Sequence, residues 1–337
     1  MVSLPRPFSS PAANITTVKK IMKRIALLII ALFWANMILA QMADTVPETY
    51  CYAMRGEREM KMDIYRPLQP RADNACVLHI FGGGFYGGAR DNKECKRTAK
   101  ALTERGFMVV SIDYRLKLKE MEHDTNKREG IFDLFDCAIR WAAEDCADAI
   151  GYLCSHAKEL GIDTSRIILT GSSAGAITAL QTDYLRCNRD SIVRNIPEGF
   201  RPAAIVAYSG AIYTRQGAVK YRYDKPAPTC FFHGTSDRIV NYKHRQLGRT
   251  HWAGPKHLDK IFDQEGYPHW TMRFDKLGHE VSILLPHTTA ELEAFVDCAL
   301  SGRNFNYDAH CSDEGLKPSK FSKTTLIKFY SGRVKWE

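Results

Sequence analysis

Gly171-Ser172-Ser173-Ala174-Gly175 lies between the apolar run at 166–170 and the helix-forming residues at 177–180. This order predicts a strand, a tight turn and a helix, with Ser173 at the apex of the turn. Glycines suit such a turn, because a sharp backbone leaves no room for neighbouring Cβ atoms. A serine hydroxyl is a weak nucleophile until a base removes its proton, and the oxyanion that it forms needs N–H donors. The remaining chain must therefore supply a base and an oxyanion site.

A glycine-rich loop, Phe81-Gly82-Gly83-Gly84-Phe85-Tyr86-Gly87-Gly88, follows the strand-like run at 75–80. Glycines let backbone N–H groups approach a ligand closely, although a flexible turn would look the same. The spacing lacks the GxGxxG pattern of a dinucleotide site. Because the Ser173 turn follows about ninety residues later, an oxyanion loop is the better interpretation. The backbone N–H of Ala174, at the start of the predicted helix, would act with this loop.

Two further polar residues follow predicted strands. Asp237 comes after the apolar run at 228–232, and His279 comes after the run at 270–274. Functional groups in open α/β sheets gather at the carboxyl ends of the strands. The chain order of serine, aspartate and histidine therefore predicts that His279 is the general base for Ser173 and that Asp237 orients His279.

Other titratable residues are weaker candidates. Asp113 and Asp136 precede Ser173 and are expected to make a strand-end contact and to lie on a helix surface, respectively. His233 is expected to support the Asp237 loop. The remaining histidines are expected to be surface or core residues. No cofactor and no metal site is predicted.

The chain order predicts one large α/β domain at 41–301, preceded by an extension at 1–40 and followed by a tail at 302–337 that docks on the domain. An antiparallel hairpin is predicted over residues 50–65, and helices are predicted over 92–105, 132–160, 242–264 and 287–300. Parallel crossovers would connect the strands in between.

The formal net charge of +9 does not indicate a nucleic-acid partner. Five of the 47 basic residues and none of the 38 acidic residues lie in the first forty positions. The rest of the chain is therefore close to charge balance, which is typical of an ordinary solvated surface. The composition does not determine the oligomeric state.

The first forty residues predict a targeting segment. Met22-Lys23-Arg24 precedes an apolar run at 25–37 and a small residue, Ala40, at a plausible cleavage point. The apolar run is shorter than the roughly 20 residues that span a bilayer, although an uncleaved anchor is the alternative. We expect translation to start at Met22 and the mature protein to be exported to the periplasm or secreted, with no stable membrane insertion.

The ten cysteines all follow residue 40, and their spacings match no zinc pattern. Export would permit disulfides, so one or two bridges are expected, with Cys298 and Cys311 the best pair on proximity in sequence.

Several motifs together resemble the α/β-hydrolase superfamily, in particular its hormone-sensitive-lipase-like and bacterial feruloyl- or acetyl-esterase-like branches. The resemblance covers residues 48–300. The motifs are Phe81-Gly82-Gly83-Gly84-Phe85, Ser111-Ile112-Asp113-Tyr114-Arg115-Leu116, Gly171-Ser172-Ser173-Ala174-Gly175, His233-Gly234-Thr235-Ser236-Asp237 and Gly278-His279-Glu280. The resemblance implies an eight-stranded, mostly parallel sheet flanked by helices, ester hydrolysis through an acyl-enzyme, and no cofactor. It also implies that Ser173, Asp237 and His279 form a catalytic triad and that Gly83, Gly84 and Ala174 are the oxyanion donors.

One position departs from the family pattern. The glycine loop of the family begins with histidine, whereas Phe81 occupies that place here and His79 lies two residues earlier. Backbone donors do not depend on this side chain, but the loop loses a residue that usually supports it.

The expected function is an exported serine carboxylic-ester hydrolase, with an acetyl or feruloyl ester of a carbohydrate as the favoured substrate. Trp252, Trp270 and Tyr213 could line a sugar or aromatic site. A serine peptidase of the same fold and a non-catalytic binding protein are the alternatives.

Overall fold

The computed structural model describes residues 46–120 and 130–312. The predicted targeting segment and the end of the chain, including the apolar residues at 326–330, lie outside the described residues. The strands are β1 (Glu48–Arg55), β2 (Arg58–Tyr65), β3 (Cys76–Ile80), β4 (Met108–Ile112), β5 (Ile167–Ser172), β6 (Ala204–Tyr208), β7 (Ile212–Thr214), β8 (Thr229–Gly234), β9 (His244–Leu247), β10 (Thr250–Ala253), β11 (His269–Phe274) and β12 (Asn306–Cys311).

Helices connect most of these strands. They are α1 (Lys93–Thr103), α2 (Lys117–Glu120), α3 (Ile131–Ser155), α4 (Ala157–Leu160), α5 (Ala174–Cys187), α6 (Pro255–Glu265) and α7 (Thr289–Leu300). Short 3₁₀ helices lie at Thr164–Arg166, Ser191–Val193, His279–Ile283 and Leu285–His287. Across residues 46–120 and 130–312, we find no helix with the length and apolar character needed to cross a bilayer.

Nine strands of the described chain form the main sheet, in the order β1-β2-β4-β3-β5-β6-β8-β11-β12. The hairpin β1–β2 pairs antiparallel, β2 pairs antiparallel with β4, and the remaining neighbours are parallel. The predicted hairpin and the mostly parallel sheet flanked by helices are therefore confirmed.

The sheet has one strand more than the eight expected. The additional strand, β12, lies in the segment that the sequence analysis assigned to the tail, and it pairs in parallel with β11 from Asn306 to Cys311. Its first three residues are exposed, and Ala309 and Cys311 are half-buried on either side of the exposed His310, as expected of an edge strand. The sequence analysis did not predict this strand, because only one face of an edge strand meets the core and its sequence is therefore mostly polar.

The parallel strands bury both faces. Successive residues point to opposite sides of a sheet, so Phe231 packs in one hydrophobic core and Phe232 in the other. The first core includes residues of α3, α5 and α6, whereas the second includes residues of α1 and α7. Burial on both faces explains why these strands read as continuous apolar runs rather than as alternating patterns.

The predicted helix over 242–264 is wrong in its first half. Residues His244–Leu247 and Thr250–Ala253 form an antiparallel hairpin, and α6 begins only at Pro255. Gly248 adopts a positive φ of 58° in the turn, and proline at the first helical position sets the helix start. β10 also pairs with β7, which completes a three-stranded sheet separate from the main one.

The expected Cys298–Cys311 disulfide is wrong. All ten cysteines fall within the described residues and all are free thiols. Cys311 is in register with Phe274, the last residue of β11, at the carboxyl edge of the sheet. Cys298 follows Asp297, which pairs with Arg71 near the amino end of β3. The two cysteines therefore lie at opposite edges, because α7 runs back across the sheet before β12 begins.

A buried ion-pair network ties α6 to β11. Asp259 accepts hydrogen bonds from Thr271 (2.6 Å) and Arg273 (2.7 Å), and it is 9% exposed. Burial alone would raise the pKa of Asp259, but hydrogen bonds from His269 and Thr271 and the charge of Arg273 lower it to about 2. The folded state therefore holds the ionised carboxylate more strongly than the unfolded chain does.

We expect the substitution Asp259→Asn to lower the free energy of unfolding by about 2 kcal/mol at pH 7. A carboxyl whose folded pKa is depressed contributes stability above its unfolded pKa, and this contribution disappears as pH falls through the folded value. The difference between wild type and variant should therefore shrink between pH 4 and pH 2. Urea unfolding at pH 7, 4 and 3 measures this, with Glu57→Gln as an exposed control. A difference that is constant over this range would contradict the prediction.

Candidate active site

Ser173 occupies a sharp turn between β5 and α5. Its backbone has φ 53° and ψ −117°, an uncommon conformation for a residue with a side chain. The N–H of Ser173 donates to the carbonyl of Tyr208 at 2.8 Å, which anchors the turn to the neighbouring strand β6. Such strain persists only where the surrounding structure imposes it, and it is typical of functional positions. The predicted strand, turn and helix are confirmed at this site.

Gly175 is required for the close approach of α5 to β3. A Cβ atom at this position would lie 2.0 Å from the carbonyl oxygen of Ile80 and 2.6 Å from that of Phe81. Gly171, on the other side of Ser173, is equally constrained, since its Cβ would lie 2.4 Å from the carbonyl carbon of Gly175. The backbone of the first helical turn therefore packs directly on the end of the strand that precedes the glycine loop.

His279 contacts both of its predicted partners. Its Nε2 lies 2.8 Å from Ser173 Oγ, and its Nδ1 lies 2.8 Å from Asp237 Oδ2. Because a carboxylate only accepts, Nδ1 carries the proton in this arrangement and Nε2 is free to accept the serine hydroxyl. His279 begins a 3₁₀ helix shortly after β11, and it is 2% exposed. The three residues that the sequence analysis singled out are thus brought together in the geometry of a proton relay.

One carboxylate oxygen of Asp237 contacts His279, and the other accepts hydrogen bonds from the backbone of its own loop. Oδ1 accepts the backbone N–H groups of Ile239 (2.8 Å) and Val240 (3.1 Å), which leaves Oδ2 for His279. Burial would raise the pKa of Asp237, but hydrogen bonds from His233 and His279 outweigh it and hold this pKa well below its usual range. Asp237 therefore remains an anion beside His279.

His233 lies beside the same carboxylate oxygen. Its Nε2 donates to the carbonyl of Val240 at 2.9 Å and lies 3.4 Å from Asp237 Oδ2. The imidazole is fully buried. This arrangement agrees with the expectation that His233 supports the Asp237 loop.

The two rival carboxylates occupy other positions. Asp113 follows β4 and pairs with Arg90, whose Nη1 lies 2.8 Å from Asp113 Oδ2. Asp136 lies on α3. Asp237 is the carboxylate that contacts Nδ1 of His279, so neither rival is needed to orient the base.

Ala174 is the first residue of α5. The first four N–H groups of a helix have no acceptor within the helix, so the N–H of Ala174 is available beside Ser173. The helix dipole also favours negative charge at this end. The position fits the predicted oxyanion role.

Gly82, the first glycine of the loop, lies against Ser173. A Cβ atom on Gly82 would lie 3.4 Å from the Cβ of Ser173, so this glycine lies directly beside the nucleophile. Among described residues, the cavity lining at Ser173 includes Gly82 but neither Gly83 nor Gly84. Gly83 instead closes a turn, since its carbonyl accepts the N–H groups of Tyr86 and Gly87 at 3.0 Å. The roles of Gly83 and Gly84 as oxyanion donors stay a prediction, because the contacts above do not involve their N–H groups.

Phe81 takes over the support of the loop. Its ring stacks on Tyr114 with a centroid distance of 4.4 Å and an interplanar angle of 24°. The Tyr114 hydroxyl also donates to the Phe81 carbonyl at 3.0 Å. An aromatic stack and one hydrogen bond thus hold the start of the loop where the family pattern has a histidine.

A cavity of about 370 Å³ opens beside Ser173 and His279. It lies between the glycine loop, the start of α1 and the 3₁₀ helices that follow β11. The lining residues beyond the two catalytic candidates and Gly82 are His79, Phe81, Gly87, Gly88, Asn92, Lys93, Glu94, Cys95, Thr98, Ser172, Glu280, Ser282, Ile283, Leu285 and Pro286. This volume is within the range of small-molecule sites.

The aromatic residues suggested for a sugar site lie elsewhere. Trp252 packs against Tyr213 and Phe135, at centroid distances of 4.6 and 6.0 Å, and Trp270 packs against Phe295 at 5.5 Å. Among the described residues, none of these aromatic side chains lines the cavity at Ser173. They belong to the packing of the small sheet and of α7 instead, so that expectation is wrong.

Within the described part of the chain, one group of side chains could suit a metal ion: one ligand atom from each of Asp259, Asp263 and His269 lies within 4.8 Å of the others. Asp259 already accepts hydrogen bonds from Thr271 and Arg273. Its charge is therefore balanced within the protein, and we interpret the group as part of the network between α6 and β11.

We expect Asp237→Asn to reduce kcat/KM for ester hydrolysis by about 10⁴-fold. The amide can donate a hydrogen bond to His279, which would stabilise the wrong tautomer and place the proton on Nε2. Steady-state kinetics on an activated ester measure the effect, and Asp113→Asn provides a matched control at another strand end. Retention of more than a tenth of the wild-type rate in the Asp237 variant would mean that another group orients His279.

A known protein family matches part of the chain that carries this site. The family model described as BD-FAE matches residues 62–212, which is less than half of the chain. The match includes β3, the glycine loop, β5 and the Ser173 turn. It ends before Asp237 and His279, so these two residues rest on the geometry above.

Curated relatives are similar over less than half of the chain. An arylesterase of Saccharolobus solfataricus is 31% identical over 157 residues, which cover 46% of this chain and 45% of the relative. The carboxylesterase NlhH of Mycobacterium tuberculosis is 33% identical over 132 residues, covering 39% of this chain and 36% of the relative. Lipase 2 of a Moraxella species is 36% identical over 108 residues, covering 32% and 21%. The chain spans less than half the length of each of these relatives.

Solved structures extend the likeness to most of the described fold. The apo form of Thermogutta terrifontis esterase 2 superposes with a TM-score of 0.54 and 19% sequence identity, covering 76% of this chain and 96% of that protein. At this identity the comparison shows a shared fold. The architecture and these similarities together show that the chain has the α/β-hydrolase fold and that part of it is similar in sequence to esterases.

Proposed function

We propose that this chain is a serine carboxylic-ester hydrolase that works through an acyl-enzyme. The observation that supports the proposal best is the pair of 2.8 Å contacts that link Ser173 Oγ to His279 and His279 to Asp237. Ester hydrolysis needs a nucleophile, a base and an oxyanion site, and these residues together with the N–H of Ala174 supply all three.

In the first half of the reaction, His279 Nε2 takes the proton of Ser173 as Oγ attacks the ester carbonyl carbon. The carbonyl oxygen becomes an oxyanion, which the N–H groups of Ala174 and of the glycine loop stabilise. Each such donor is typically worth about 3 kcal/mol. The ionised Asp237 stabilises the imidazolium that forms on His279.

The tetrahedral intermediate then breaks at its bond to the alcohol oxygen. His279 returns the proton to this oxygen, the alcohol leaves, and the acyl group remains on Ser173. Water repeats the attack with His279 again as the base. Hydrolysis of the acyl-enzyme releases the carboxylic acid and restores the Ser173 hydroxyl.

For the substrate, we propose an acetyl or feruloyl ester of a carbohydrate. A cavity of about 370 Å³ has room for either acyl group. Thermogutta terrifontis esterase 2, which shares the fold, was solved with butyrate and with propionate bound, so that protein accommodates short acyl groups. The lining combines apolar side chains with polar ones, which suits an ester with a hydroxylated part.

We also propose that the protein is exported. The basic residues at 23 and 24 and the apolar run at 25–37 support this proposal. N-terminal sequencing of the mature protein from its natural host tests it. A start before residue 22, or an intact run at 25–40, would contradict it.

The test of the enzymatic proposal is a substrate panel for the purified protein. We expect turnover of p-nitrophenyl acetate and of methyl ferulate, and release of acetate from acetylated xylan. Turnover of aminoacyl-anilides without ester turnover would favour a peptidase. No turnover of any substrate, in a protein that is folded by circular dichroism, would favour a binding protein.

A further inference from the structure

His79 is a buried histidine beside the reaction site that the proposed mechanism does not use. It lies on β3, two residues before Phe81, and its side chain is on the sheet face that carries α1 and α7. The residue is 3% exposed, and it lines the cavity at Ser173. Its Nδ1 is buried without a hydrogen-bond partner among the described residues, so Nε2 is the ring nitrogen that a ligand in the cavity can reach.

The neighbouring side chains on this face do not satisfy the imidazole. Ser111 and Thr170 are in register with His79 on the two adjacent strands. The Ser111 hydroxyl donates to the carbonyl of Arg90 at 2.7 Å, and the Thr170 hydroxyl donates to that of Val206 at 2.8 Å. Both protons are therefore already used by backbone carbonyls.

An unsatisfied polar group costs free energy in a protein core, and a hydrophobic side chain would pack there without this cost. Burial also lowers the pKa of His79 to about 4, so the ring is neutral at neutral pH. A neutral imidazole has one N–H donor and one acceptor nitrogen, and it complements a hydroxyl group in either direction. It offers no charge to attract a carboxylate.

The cavity around His79 has two kinds of surface. Apolar side chains of Phe81, Ile283, Leu285 and Pro286 form one part of its lining. Thr98 lies on α1, is 3% exposed and lines the cavity together with His79. A group that fills the cavity therefore meets apolar contacts as well as a buried polar site.

We propose that His79 and Thr98 form a specificity subsite that binds a hydroxyl group on the part of the ester that enters this cavity. The inference deepens the proposed esterase function and rests on it. The substrate class is a neutral hydroxylated ester, in which an apolar body carries a hydroxyl group away from the scissile bond. His79 touches the substrate in this role but takes no part in proton transfer.

Two pairs of esters that exchange a hydroxyl for a methyl group test the subsite. Methyl 4-hydroxycinnamate and methyl 4-methylcinnamate differ on the acyl side, whereas 2-hydroxyethyl butyrate and propyl butyrate differ on the alcohol side. Calorimetric titration of the Ser173→Ala protein measures binding without turnover. We expect the hydroxylated member of one pair to bind about tenfold more tightly than its methyl counterpart.

The double variant Ser173→Ala with His79→Phe should bind both members of that pair with equal affinity. His79→Gln, which retains a donor and an acceptor, should keep part of the preference. His251→Phe, which removes a buried histidine of the small sheet, should leave the preference unchanged. The melting temperature of His79→Phe should equal or exceed that of the protein with His79, because the substitution removes an unsatisfied buried group.

Equal binding within both pairs before His79 is changed would overturn the subsite, as would a preference that persists in His79→Phe. A water molecule that stays bound to His79 would give equal binding within both pairs. Failure of the esterase proposal would look different: the wild-type protein would hydrolyse none of the four esters. The binding preference of the Ser173→Ala protein is measured independently of that outcome.

Discussion

Replacement of Ser173 by alanine is expected to lower kcat/KM for ester hydrolysis by about 10⁴-fold or more. The methyl side chain cannot attack the carbonyl carbon, so the acyl-enzyme cannot form. The oxyanion donors remain, because they are backbone groups of Ala174 and of the glycine loop. A residual rate above that of water is therefore expected even without the nucleophile.

Hydrolysis of p-nitrophenyl acetate, followed by the release of p-nitrophenolate, measures this effect. A burst of product equal to the enzyme concentration should appear with the wild type and disappear with Ser173→Ala. Ser165→Ala, at an exposed position near the start of β5, is the control for substitution of a serine. Activity that survives in the Ser173 variant at the wild-type level would show that another residue is the nucleophile.

The substitution Gly175→Ala is expected to destabilise the folded protein by about 3 kcal/mol or more. Intrinsic helix propensity alone predicts the opposite sign, since alanine is favoured over glycine within a helix by about 1 kcal/mol. Here the added Cβ would lie 2.0 Å from the carbonyl oxygen of Ile80, which is backbone and cannot rotate away. The helix α5 and the strand β3 would have to separate.

Thermal and urea unfolding measure the loss of stability, and the same separation would also displace the glycine loop from Ser173. Gly87→Ala is the matched control, because a Cβ at that position would meet no atom within 4 Å. An unchanged melting temperature for Gly175→Ala would mean that the helix can shift at little cost, and the explanation for the glycine would then be wrong.

The Ser173 turn links these two predictions. Its strained backbone places Oγ towards His279, and the glycine at 175 allows β3 to run alongside the first turn of α5. The glycine loop lies beside the same turn: a Cβ atom on Gly82 would lie 3.4 Å from the Cβ of Ser173. Fold stability and catalytic geometry therefore depend on the same short segment of backbone.

Local sequence patterns predicted much of the fold. The hairpin at β1 and β2 was apparent from alternation around a glycine turn, and the parallel strands were apparent as apolar runs followed by polar strand ends. Both signals arise from burial, which acts on each strand separately. They do not depend on which strands become neighbours.

The wrong predictions concern features that depend on contacts between distant segments. The hairpin at residues 244–253 was interpreted as a helix, because its first strand, β9, is polar and mostly exposed and no apolar run marks it. The edge strand β12 was missed for a similar reason. The Cys298–Cys311 pair was proposed from proximity along the chain, whereas α7 carries the two residues to opposite edges of the sheet.

The oxyanion loop was predicted only in part from the sequence. Its composition indicated close backbone approach, but the choice of glycine depends on how the loop meets the Ser173 turn. The structure places Gly82 beside Ser173, and Phe81 stacks on Tyr114 where the family pattern has a histidine. Neither contact can be read from a motif, because each joins segments from different strands.

The sequence by itself determined the turn that carries Ser173 and the strand ends that carry Asp237 and His279, since each is a local pattern of apolar, glycine and polar residues. Tertiary structure decided which of these groups meet. Ser173 and His279 are 106 residues apart in the chain and 2.8 Å apart in space. Tertiary structure also buried His79 Nδ1 without a hydrogen-bond partner among the described residues, because burial of the two sheet faces determined the order and register of the strands.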